Sequence, residues 1–369
     1  MIFPDPSADS RVAHGLLNRI RGLAREIGRT VRLMEVCGTH TMTIHRAGLP
    51  GLLPENVRLL SGPGCPVCVT PMGYVDAAVA LAQRSDTIVT TFGDMMRVPG
   101  SAMSLEQARA QGAGVQMVYS PSDALTLARQ RPQQTVVFLA VGFETTAPAT
   151  AVTLDEAQRT GVKNFHVLAA HKVVPPALRV LLDDPETAID GFILPGHVSV
   201  VLGLAPYEFI ARDFSRSGVV TGFEPNDVLQ SIAMLLGHIA SEKAVIENQY
   251  GRVVRPEGNR AALTRMEKAF DLCDAEWRGL GSLPASGLKL KSAYGAHDAE
   301  TTLGVVIAKG KEPAGCRCGE VLRGIAAPEQ CGLFATRCTP MTPVGACMVS
   351  SEGTCAAHFK YRSPQRETP

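Results

Sequence analysis

Cys65 and Cys68, in the run Gly62-Pro63-Gly64-Cys65-Pro66-Val67-Cys68, have the spacing that lets two thiols close a short ring, so a dithiol/disulfide couple is the first chemistry the sequence offers. A helix start directly after them would lower the pKa of the first thiol. Half of a zinc site, or two buried thiols, are the competing readings, and no second Cys-x-x-Cys is present to complete a zinc ribbon. Cys37 is followed three positions on by His40, which in a helical turn would bring a thiolate and an imidazole within reach of one ion. A soft thiolate suits iron(II) or copper(I) better than magnesium, whereas a lone Cys at a strand end is otherwise a small core residue. Six of the ten cysteines fall within the forty residues from Cys316 to Cys355. Among them Cys318, Cys331, Cys338 and Cys355 enclose segments of twelve, six and sixteen residues in a Gly- and Pro-rich setting. Four converging thiolates suit a [4Fe-4S] cluster, and spacing alone leaves structural zinc equally open. Cys316 and Cys347 are left over; Cys273, in an apparently helical run, reads as a packing residue, and the remaining histidines have no partnered spacing.

Something must hold these residues at one place. From about residue 31 to 222 the chain alternates short β-branched runs with Gly- or Pro-rich loops and helical periodicity. Strands are expected at Val31–Val36, Val57–Ser61, Thr87–Thr91, Val115–Tyr119, Thr135–Val141, Asn164–Ala169, Gly191–Leu194 and Val219–Thr221, with helices starting at Pro71, Ser104, Ser120-Pro121 and Pro176. The fold class is therefore α/β, with two doubly wound parallel-sheet (Rossmann-like) domains at 30–120 and 121–224, split near Ser120 to Arg131. Residues 1–29 and 225–369 are expected to form a mainly helical, Cys-rich domain. In an open α/β sheet, ligands bind where loops leave the carboxyl ends of the strands. Cys37, Cys65 and Cys68 fall on such loops, as do Asp94, Arg97, Glu144, His171 and His197, which could position or protonate a ligand.

With 369 residues, 45% hydrophobic and 19% charged, the chain has ample apolar material for packed cores and too little charge for disorder. A net charge of +1 gives no electrostatic footprint for nucleic acid or an anionic membrane. The N-terminus lacks the continuous apolar core of a secretory signal, and the longest uncharged stretches are broken by Gly and Pro. A cytoplasmic location is expected, where thiols stay reduced and ten cysteines point to metal or redox chemistry.

The ordered motifs MEVCGTHT, GPGCPVCVTPMG, TFGDMMRVPGS, VGFETTAP, LPGHVS, GFEPNDVLQ, ENQYGRVV, EWRGLG, CGEVLRG and MVSSEGTCAA closely resemble the HypD family of hydrogenase maturation proteins, from about residue 30 to residue 361. The resemblance implies a scaffold on which the Fe(CN)2CO unit of [NiFe]-hydrogenases is built. It implies a direct complex with HypC, cyanide delivery by HypE and HypF, and the hydrogenase large subunit as the indirect beneficiary. By resemblance the iron-binding Cys is Cys37, with His40 beside it, the redox pair is Cys65 and Cys68, and the [4Fe-4S] ligands are Cys318, Cys331, Cys338 and Cys355, with Cys316 able to substitute for Cys318. A different class, an iron-sulfur-dependent thiol/disulfide oxidoreductase acting on a protein disulfide, needs no iron at Cys37. A zinc-stabilised interaction protein is a third, non-catalytic reading.

Overall fold

The computed structural model describes residues 6–310 and 312–361. All eight expected strands are present, to within two residues at each end: β1 (Val31–Glu35), β2 (Val57–Ser61), β3 (Thr87–Thr91), β4 (Val115–Met117), β5 (Thr135–Ala140), β6 (Phe165–Ala169), β7 (Gly191–Pro195) and β8 (Ser217–Thr221). They form two parallel sheets. A ninth strand, β9 (Ile246–Asn248), completes the first sheet in the order β2-β1-β7-β8-β9, and the second has the order β4-β3-β5-β6.

The division of the chain differs from the expected boundary. The first sheet is begun by β1 and β2 and resumed only at β7, with the whole second sheet inserted between them. Ser120 to Arg131, where the split was expected, lies within the second sheet, between β4 and β5. The reason lies in pairing: Leu33 to Glu35 of β1 align with Gly191 to Ile193 of β7, a contact between distant segments that no local pattern records.

The inner strands β1, β3, β5, β7 and β8 are buried on both faces, which is why they read as mostly β-branched or apolar runs. In the first sheet Leu33, Ile193 and Val219 face the helices Pro6–Ile27 and Pro225–Ala240, while Met34, Phe192, Leu194 and Val220 face a core that also holds Cys65, Cys68, Cys318 and Cys347. In the second sheet Val137, Leu139 and Leu168 pack under the helix Met72–Ala82, and Val136, Phe138 and Phe165 under Pro121–Gln130 and Ala147–Arg159. Helix starts follow the sequence. Ser104 and Ser120 each close a capping box, with Gln107 and Asp123, and prolines occupy the first turns of Pro121–Gln130 and Val174–Asp183.

The C-terminal third departs from the helical expectation. Helix Arg260–Ala269 runs directly into an antiparallel hairpin, β10 (Phe270–Trp277) and β11 (Gly281–Leu290), so Cys273 is a half-buried strand residue. Trp277 is fully buried, donates its indole N–H to Ser286 Oγ at 2.8 Å and stacks on Phe143 at 6.0 Å, tying the hairpin to the loop after β5. The N-terminal helix packs on Pro225–Ala240 over the first sheet, not against the Cys-rich segment. That segment is made of short helices and turns, from Cys318–Leu322 to Thr354–Tyr361.

Candidate metal and thiol site

β1 and β7 are neighbours whose chains continue to opposite sides of the first sheet, and at such a switch point the loops part and leave a crevice. Cys37 sits there. It is the last extended residue (φ −152, ψ 120) before the helix Gly38–Arg46. The loop after β2 lies alongside: the Gly38 N–H donates to Gly64 O at 3.0 Å, and a Cβ on Gly64 would stand 2.1 Å from the Cys37 nitrogen. Only glycine fits at position 64. Beneath Cys37 lies Glu35, 1% exposed, whose carboxylate accepts from the Cys37 N–H at 3.0 Å and from the Thr41 hydroxyl. Burial raises Glu35 to about 7. Burial also pushes the Cys37 thiol up to about 12; the backbone amides of His40 and Thr39 at the helix start oppose that shift and the charges of Glu35 and Glu352 add to it.

His40 is fully buried and donates Nε2–H to Gly222 O at 2.9 Å and Thr221 O at 3.2 Å. These bonds pin the Cys37 helix to the end of β8 and leave Nδ1 as a buried acceptor with no partner. Burial lowers His40 to about 4, so the ring is neutral. Its plane stacks on Phe223, and His197 stacks on Phe223 at 3.9 Å.

The C-terminal segment closes over this rim. Thr39 Oγ1 donates to Glu352 Oε1 at 2.7 Å, and a Cβ on Gly38 would lie 2.5 Å from that of Glu352. Arg97, after β3, donates Nη2–H to Val349 O at 2.8 Å, and a Cβ on Gly353 would meet the Cys68 sulfur at 3.1 Å. One turn, Val349 to Gly353, therefore touches the loops after β1, β2 and β3. Glu35 and Glu352 escaped the sequence reading. A charged residue inside the apolar strand RLMEV was the available signal for Glu35.

Cys65 and Cys68 lie in a turn joined by Cys68 N–H to Cys65 O at 3.1 Å, ahead of the helix Met72–Ala82 and not at its first residue. Cys68 is fully buried. Contact with Cys347 favours its thiolate, but contact with Cys65 and burial outweigh this and hold the thiol well above its usual range. Cys347 in turn touches Cys318 and Cys355, and Cys318 touches Cys316. A row of thiols thus runs from Cys65 into the Cys-rich segment. All ten cysteines are free thiols.

Cys318, Cys331, Cys338 and Cys355 line a single cavity, together with Cys316, Cys347, Leu333, Phe334 and Met348. Among the described residues no group of three or more His, Cys, Asp or Glu side chains is placed to hold a single metal ion. Six thiols around one cavity, with Leu333, Phe334 and Arg317 in its wall, are a donor set that fits a polynuclear iron-sulfur group. Arg278 is buried; its Nε pairs with Glu312 at 3.1 Å, and among the described residues its Nη1 and Nη2 have no partner. In the second sheet Glu144 is fully buried with Oε1 accepting from the Val174 N–H at 2.8 Å and Oε2 unpaired, and burial raises it to about 7. Burial pushes the Tyr207 hydroxyl up, and the charges of Glu144 and Cys37 add to that shift. His171 is buried against Phe270 with Nδ1 unpaired.

Among the described residues no helix is long and apolar enough to cross a membrane. The sequence profile described as HypD, hydrogenase formation hypA family, matches residues 11–362. The chain is 50% identical over 370 residues to the hydrogenase maturation factor HypD of Rhodobacter capsulatus, covering 98% of each chain. It is 47% identical over 363 residues to that of Escherichia coli (strain K12), covering 98% of this chain and 97% of the relative. With the hydrogenase maturation factor HypD of Cupriavidus necator it shares 46% identity over 369 residues, or 98% and 97% of the two chains.

Proposed function

Because the chain belongs to the HypD family of hydrogenase formation proteins, we propose that it is the scaffold on which the Fe(CN)2CO unit of [NiFe]-hydrogenases is assembled, with Cys37 as the protein's anchor for the iron. The observation that carries this reading is the position of Cys37: a thiol at the switch point of the first sheet, walled by the loop after β2 and roofed by the Glu352 turn. Iron(II) bearing cyanide and carbonyl ligands is the cargo, and a soft thiolate is the ligand that such iron prefers. HypC docks over the Cys37 rim as the direct partner, HypE and HypF supply cyanide, and the hydrogenase large subunit receives the finished unit. His40 holds the Cys37 helix in place through Nε2 and offers Nδ1 toward a ligand or proton.

Cys318, Cys331, Cys338 and Cys355 would hold a [4Fe-4S] cluster, which supplies single electrons when bound. Cys65 and Cys68 form a disulfide by giving up two electrons and two protons, and regain them on reduction. The thiol row through Cys347 supports exchange between that pair and the Cys-rich segment. The same row favours the second reading, an iron-sulfur-dependent thiol/disulfide oxidoreductase, which predicts no iron at Cys37.

Infrared spectroscopy of the protein purified anaerobically with its partners separates the two. Cyanide and carbonyl bands are expected from the wild type and are lost in Cys37→Ala, while the iron and sulfide of the C-terminal cavity are retained. Bands of normal intensity in Cys37→Ala would remove Cys37 from its central role. No bands in the wild type would favour the oxidoreductase.

A further inference from the structure

We propose that Arg278 is the buried counter-cation of the iron-sulfur centre and raises its reduction potential, a role that rests on the cluster reading above. Arg278 follows the last residue of β10, in the turn of the hairpin. Its side chain is 0% exposed. Nε donates to Glu312 Oε2 at 3.1 Å, a carboxylate that is itself 47% exposed. The four N–H groups on Nη1 and Nη2 are buried and, among the described residues, have no acceptor. A guanidinium keeps its charge at every pH a protein survives, so it cannot relieve this by losing a proton. Four unsatisfied donors on a buried guanidinium, whose ion pair with Glu312 reaches a half-exposed carboxylate, are a costly arrangement, and an anion that accepts those N–H groups is the physical remedy.

The surroundings identify the class of that anion. The Arg278 N–H donates to the carbonyl of Val69, the residue after Cys68, at 2.9 Å. Gly279, in a left-handed conformation (φ +80), packs on Gly319, the residue after Cys318, so closely that a Cβ would come within 2.6 Å of its Cα. Arg278 is thereby wedged between the turn of the redox pair and the first cysteines of the cavity, and its charge acts on the sulfur of Cys316. Neutral thiols are weak acceptors; thiolate and inorganic sulfide are strong ones. Four thiolates and the sulfides of a [4Fe-4S] cluster carry net negative charge, which grows by one on reduction. A fixed cation beside them stabilises the reduced form more than the oxidised one and so raises the potential.

The full chain, reconstituted anaerobically with iron and sulfide, tests this by dithionite titration followed by electron paramagnetic resonance, with iron and sulfide counted per chain. Arg278→Met, which fills the space without charge, should lower the midpoint so that one-electron reduction is at least tenfold less favourable, about 59 mV. Arg278→Lys, which keeps the charge and loses the fork, should fall between. A fully loaded Arg278→Met with the wild-type midpoint would overturn the proposal. If that variant does not load, the cluster-free proteins decide: a counter-cation without its anion is a liability, so apo Arg278→Met should melt at or above the temperature of apo wild type. A lower melting temperature would make Arg278 a structural residue and sink the proposal. A wild type that binds no iron and sulfide would instead overturn the cluster reading itself, and the proposal with it.

Discussion

Replacing Glu352 by alanine removes the acceptor of the Thr39 hydroxyl at 2.7 Å and the side chain that packs on Gly38. A hydrogen bond to an ionised carboxylate contributes about 1.5–3 kcal/mol, and because Glu352 is only partly buried the lower end, about 1.5 kcal/mol, applies. Cys37 is 8% exposed, so an alkylating reagent reaches it only when the roof opens. Each 1.4 kcal/mol taken from the closed state raises the open fraction about tenfold. Iodoacetamide labelling of the reduced, cluster-free chain, quantified at the peptide bearing Cys37 by mass spectrometry, should therefore run about tenfold faster in Glu352→Ala. Labelling at Cys273, remote from the turn, provides the internal reference. Removing a negative charge also eases ionisation of Cys37. Glu352→Gln isolates that part, since it keeps an acceptor for Thr39. A Cys37 rate in Glu352→Ala within twofold of wild type would refute the closure of this rim by the C-terminal turn.

Ser at Cys318, Cys331, Cys338 or Cys355 should each abolish stoichiometric iron and sulfide, while Cys316→Ser and Cys347→Ser retain them; a loaded Cys318→Ser with an empty Cys316→Ser would exchange those two residues. Gly64→Ala forces its new methyl into the Cys37 backbone and should cost about 2–4 kcal/mol in urea unfolding, from overpacking and the strained Gly38 hydrogen bond; a change under 0.5 kcal/mol would contradict the contact. Glu144 has a folded pKa of about 7 against 4.5 for the free group, so the native chain retains a proton that the unfolded chain releases. The stability this confers is complete below pH 4.5 and lost as the pH rises to about 7. Glu144→Gln should thus match wild type at pH 4 and exceed it by up to about 3 kcal/mol at pH 8, and a pH-independent difference would refute the buried carboxyl.

The inner strands were legible because burial on both faces makes them β-branched or apolar runs, as in TIVTT and TVVFLA. Their partition was not, since β1 is paired to β7 across the inserted sheet and nothing in RLMEV encodes its neighbour. β9 has three residues, too few for a period. FDLCDAEW follows helix Arg260–Ala269 with no Gly or Pro between them, so a helical reading runs on into β10 as far as Cys273. The number of cysteines announced a thiol-rich site, yet all six of the C-terminal group line the same cavity, and spacing does not rank them. Arg278 stood inside a quoted motif, EWRGLG, where an arginine beside two glycines looks like an exposed turn. Its backbone bond to Val69 and the contact of the next residue, Gly279, with Gly319 place it inside the fold.

The insertion of one sheet into another has a consequence for the growing chain. As the ribosome releases the polypeptide, Cys37, Cys65 and Cys68 emerge early, while the turn that roofs them is made roughly 290 residues later. At 5–20 residues per second the interval is about 15–60 s. During it the nascent chain holds three uncovered thiols, at first on a sheet that still lacks β7, β8 and β9. Premature oxidation of Cys65 or Cys68 with Cys37 in that window would lock the wrong loops together before the correct roof exists. A thiol-reducing environment during synthesis keeps that cross-link from forming, a role separate from any it has for the finished protein.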